Sequence, residues 1–146
     1  MTATPAKRAG NAMLIIMIVV VALAECLLAL LGAMAWQGRR DGGFTPEEAM
    51  PFTVMGLSAA VGVLLAMFAI VALLRGPRGQ GLARVTAGLA WLRLGGVILA
   101  LTVGALTFGV SAVAAAFPAF GVVLAVGDAI GGLVVAGAAV RRTRNG

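Results

Sequence analysis

The chain has 146 residues, of which 62% are hydrophobic and only 11% charged, with a net charge of +6. Soluble domains are about half apolar and about a quarter charged, so this composition excludes both a soluble globular domain and a disordered tail. The mean hydropathy of +1.09 points the same way, to a polytopic membrane protein.

The first segment, 1–11, is polar and carries Lys7 and Arg8. An apolar run from Ala12 to Trp36 follows, broken only by Glu25. A bilayer core of roughly 30 Å takes about 20 helical residues, so this run predicts a first span over about 12–36. Cys26 lies inside it and is expected to pack as a small hydrophobe. Ala33-Met34-Ala35 mimics a signal-peptide cleavage site. The apolar run is longer than the 7–15 residues or so of a signal core and contains an acid, so the first helix is expected to stay uncleaved.

A polar loop is expected from Gln37 to Thr45. Within it, Thr45-Pro46-Glu47-Glu48 has the order of a capping box, with Pro at the first helical position and Glu at the third. The second helix should therefore start at Pro46, ahead of a charge-free run to Leu74 that predicts a span over about 50–74. Gly76, Pro77, Gly79 and Gly81 mark the segment 75–84 as a flexible turn. The stretch from Val85 to Val140 is long enough for two spans, over about 85–108 and 117–140, with a break between Gly109 and Pro118. The tail 141–146 is basic, with Arg141, Arg142 and Arg144. It is read as a stop-transfer anchor that could also attract anionic headgroups. The expected fold is thus an all-α bundle of four transmembrane helices over 12–140. A β-barrel is excluded because the runs are too long and do not alternate.

Basic residues set the orientation. Lys7, Arg8, Arg75, Arg78, Arg84, Arg141, Arg142 and Arg144 fall on one side of a four-span topology, and Arg39 and Arg40 on the other. The positive-inside rule then puts both termini in the cytoplasm. The positive charge belongs to span ends, so nucleic acid is not the expected partner; the lipid bilayer is, with a homodimer or a larger membrane complex possible. Ten Arg to one Lys, with abundant Ala, Gly and Val, is the usage of a GC-rich bacterial genome.

The inventory closes several chemistries. There is no His and no Tyr, the only Lys is Lys7, and the only serines are Ser58 and Ser111. His-held haem and His-ligated zinc or copper cannot be built, nor can Ser-His or Cys-His nucleophile pairs. No phosphate-binding or dinucleotide-binding glycine motif is present. Neither a cofactor nor an enzyme activity is expected.

Three ionisable residues remain inside the spans: Glu25, Arg93 and Asp128. Counted from the same membrane face, Glu25 and Asp128 sit at nearly equal depth, and Arg93 is four or five residues nearer that face, roughly 6–7 Å of helical rise. An extended Arg can cover much of that distance. Each falls on a face of small residues: Ala22, Glu25, Ala29 and Gly32 in the first span; Ala90, Arg93, Val97, Ala100 and Gly104 in the third; Ala125, Asp128, Gly132 and Ala136 in the fourth. An unpaired charge at a helix centre costs about 2.5–3.5 kcal/mol, so the three should meet one another, water or a partner. Arg93 could bridge the two acids and fix the packing. Alternatively, the spare carboxylate could exchange protons or bind a cationic substrate. As a third possibility, Asp128 and Glu25 could act as acid and base on a lipid, a reading weakened by the missing His and Tyr.

Ala22-Leu23-Ala24-Glu25, in the first of four helices, resembles small multidrug-resistance exporters. That resemblance implies a dimer of four-helix chains in which Glu25 would exchange protons for cationic or hydrophobic compounds. The longer outer loop and the buried Arg93 and Asp128 depart from that pattern, and Trp91 is the only aromatic of the third span placed to cradle a flat cation. A non-catalytic accessory, assembly or scaffold component of the cytoplasmic membrane is the expectation the sequence favours, with the proton-coupled transporter as its alternative.

Overall fold

The computed structural model describes residues 5–115 and 121–145, and helix is the only regular secondary structure among them. The elements are α1 (Pro5–Arg40), α2 (Pro46–Leu74), a 3-10 turn (Gly76–Gly79), α3 (Gln80–Phe108), α4 (Val110–Ala115) and α5 (Gly121–Arg144). α1, α2, α3 and α5 are each long and apolar enough to cross a bilayer. The chain is therefore an all-α, multi-pass membrane protein built on a four-helix bundle.

The helices outrun the apolar runs that mark them. α1 has 36 residues and α2 and α3 have 29 each, which at 1.5 Å per residue exceeds a 30 Å core. The expected loop 37–45 is accordingly shorter, because Gly38, the one weak helix former from Gln37 to Arg40, stays within the helix. α1 ends instead on Gly42, whose φ of 79° is open to glycine. The Gly43 and Phe44 amides donate back to the Gly38 carbonyl. α2 begins where the capping signal puts it. The Thr45 hydroxyl accepts from the Glu48 amide at 3.3 Å, and the Glu48 carboxylate accepts from the Thr45 amide at 2.9 Å.

The glycine-rich segment 75–84, expected as a turn, is short: α3 already begins at Gln80. It narrows to the 3-10 turn, whose Gly79 is buried against the Ala72 backbone. α3 ends at Gly109, with φ of 91°. The break between the last two spans contains α4, and Pro118 and the expected start of the fourth span at 117 lie outside the described residues.

α2 is the hub and packs against α1, α3 and α5; α3 and α5 also pack on each other, while α1 meets α5 only marginally. Small residues permit the close crossings. Gly32 of α1 faces Gly56 of α2 so closely that a Cβ on Gly56 would lie 2.6 Å from the Gly32 Cα. The two larger apolar clusters of the interior form layers: Ile18, Ala69, Ala83 and Ala139 toward the chain ends, and Met55, Val97, Val122 and Ala125 toward the α1–α2 connection. Cys26 is not in that packing; it faces outward from α1.

Candidate functional site: one guanidinium held by four helices

The polar constellation lies between the two apolar layers. Its centre is Arg93 of α3, 6% exposed. Arg93 Nη1 donates to Glu25 Oε1 of α1 at 2.8 Å. Nε donates to Ser58 Oγ of α2 at 2.9 Å. Nη2 donates to Asp128 Oδ2 of α5. Each edge of the guanidinium thus meets a different helix, and through Arg93 all four spans share one set of hydrogen bonds.

The geometry depends on two glycines. Glu25 and Arg93 lie on helices that do not pack directly on one another, and they meet across α2. They can do so because Gly62 has no side chain: a Cβ there would stand 2.5 Å from Arg93 Nη1 and would also strike the Glu25 carboxylate. On the other side, a Cβ on Gly132 would stand 2.8 Å from the same nitrogen. The planar, five-donor guanidinium is suited to this branching, whereas a Lys ammonium could not reach three acceptors set around a plane.

The structure brings together the three residues singled out in the sequence, and it adds Ser58 and the glycine pair. Ser58 is the lone serine inside an apolar span, one helical turn from Gly62. That spacing is the signal that could have found it. The depth offset between Arg93 and the acids is taken up by the length of the Arg side chain.

Glu25 Oε2 is buried and has no hydrogen-bond partner among the described residues. Glu25 also lines a cavity of about 10 Å³ beside Thr86 and Gly132, at the lower limit for one water. An apolar groove of about 260 Å³ opens sideways between α2 and α3, with Ser58 and Arg93 among its lining residues. No group of three or more His, Cys, Asp or Glu able to hold a metal occurs among the described residues.

Comparison with protein-family models, with curated proteins and with solved structures returns no match.

Proposed function

We propose that this protein is a non-catalytic accessory, assembly or scaffold component of the bacterial cytoplasmic membrane, with both ends of the chain in the cytoplasm. The observation that carries this reading is the tethering of all four spans by the Arg93 side chain. Every nitrogen of the guanidinium is engaged, and the cluster sits between apolar layers with Glu25 and Arg93 buried. Such an arrangement holds a shape, which is what a scaffold must do. The excess of basic residues on one side supports the orientation.

The test is native mass spectrometry of the particle released from membranes in mild detergent. A stoichiometric complex with an unrelated membrane protein is the expected result. A bare homodimer would overturn the accessory role.

The second reading, a proton-coupled transporter, draws support from Glu25 Oε2, a buried carboxylate oxygen without a hydrogen-bond partner among the described residues, on a residue that lines a small cavity. Glu25→Gln separates the two. A transporter variant assembles but loses coupled efflux. In a scaffold the same substitution changes assembly or abundance and has no efflux to remove.

A further inference from the structure

The chain-end side of the bundle carries Arg75, Arg78, Arg84, Arg141, Arg142 and Arg144, all exposed. None of the five acids is there: Glu25 and Asp128 are in the middle of the bundle, and Asp41, Glu47 and Glu48 are at the opposite end. Neither Arg141 nor Arg142 has an ion-pair partner among the described residues. This end therefore needs its anions from outside the chain.

Beneath two of these arginines the bundle is open. Because α1 and α5 scarcely touch, a groove of about 370 Å³ runs between them, with Arg141 and Arg142 at its mouth. That volume is within the range of small-molecule sites, which begins at about 300 Å³. Its walls are apolar: Met17 on the α1 side, and Val134 and Ala138 on the α5 side. The Arg142 guanidinium rests over Gly10, where a Cβ would stand 2.8 Å from Nη1 and 3.1 Å from Nη2. Gly10 thus leaves the room in which the positive head of the groove sits.

We propose that this groove is a binding site for an anionic phospholipid, whose phosphate is held by Arg141 and Arg142 and whose acyl chain lies between α1 and α5. The two halves of the site call for the two halves of one molecule. The arginines ask for a phosphate, which Arg binds through its fork of donors. The apolar walls ask for a hydrocarbon chain, and basic pockets between spans bind acidic headgroups. A free phosphate would satisfy the arginines and leave the groove unfilled.

The experiment titrates the purified full-length protein in mild detergent with phosphatidylglycerol or phosphatidylcholine and counts retained lipid by native mass spectrometry. One phosphatidylglycerol per chain should be retained in preference to phosphatidylcholine, and inorganic phosphate should not displace it. Arg141→Gln with Arg142→Gln should weaken retention by roughly fivefold per arginine. Gly10→Leu keeps every charge but occupies the place of the Arg142 guanidinium, and it should weaken retention as well. Arg75→Gln with Arg78→Gln removes the same charge elsewhere on that end and should leave retention unchanged. Thermal unfolding without added lipid checks that each variant is folded; Gly10→Ala replaces Gly10→Leu if the larger residue fails. Equal retention of phosphatidylcholine, displacement by inorganic phosphate, an equal loss in the Arg75/Arg78 variant, or full retention in a folded Gly10 variant would each overturn the proposal.

Discussion

Arg93 is the residue on which most of the buried polar chemistry converges. Replacing it with Leu removes the partner of the buried Glu25 and the part-buried Asp128, and breaking a buried pair in this way costs about 3–5 kcal/mol. Arg93→Leu should therefore lower the unfolding midpoint in detergent sharply. Replacing the whole set, Glu25→Gln with Arg93→Met and Asp128→Asn, leaves no unpaired charge and should recover most of that loss. If the triple variant were as unstable as Arg93→Leu, charge pairing would not be what Arg93 supplies. Gly62→Ala tests the same point sterically. It puts a methyl where Glu25 and Arg93 meet and should cost about 1–3 kcal/mol, the usual range for overpacking. At this scale the sequence was only partly legible. Glu25, Arg93 and Asp128 stand out because a charge within an apolar span is costly. Ser58 and Gly62 carry only the weak signal of their spacing, since a serine or a glycine in a span carries little penalty, and their importance arises only where the Glu25 and Arg93 side chains meet at Gly62.

At the level of the helices, the α1–α2 connection makes the clearest prediction. Glu48 is exposed, and its carboxyl lies below the usual carboxylate range, first because the Thr45 backbone amide donates to it and then through the Thr45 hydroxyl. A depressed carboxyl stabilises the folded form above its ordinary value, and that contribution fades as pH falls through the lowered one. The first turn of α2 should thus stay capped in mild acid and fray only below the usual carboxylate range. The Thr45 and Glu48 amide resonances followed through a pH titration would report it; a midpoint at the ordinary Glu value would contradict the cap. Thr45→Ala should cost about 1 kcal/mol. This cap could be read residue by residue because its partners are local. The helix ends at Arg40 and Gln80 could not, because hydropathy marks where apolar residues stop, and a helix stops only where a residue such as Gly42 breaks it.

For the molecule as a whole, the asymmetry of charge predicts topology. A fluorescent protein that matures only in the cytoplasm should be active when fused to either end. A phosphatase active only outside should work when inserted between Asp41 and Phe44. The opposite pattern would reverse the proposed orientation and place the arginine-rich end in the outer leaflet. Cys26, exposed on α1, should react with an apolar maleimide in micelles without unfolding. Protection of that thiol in an extracted complex, lost when the complex is dissociated, would mark α1 as the face that a partner covers. The four-span bundle was legible from the runs alone, since length and apolarity suffice to set it. The arrangement around α2 was not, because it depends on which small residues come opposite one another.

The position of Arg93 along the chain has a consequence for biosynthesis. It lies 68 residues after Glu25 and 35 before Asp128, and domains emerge N-terminal end first. The first acid enters the membrane alone, the arginine then balances it, and the second acid arrives to find a cation already in place. At no stage does the growing bundle hold more than one unit of uncompensated charge in the apolar phase. Had the two acids preceded the arginine, the nascent protein would have had to carry two.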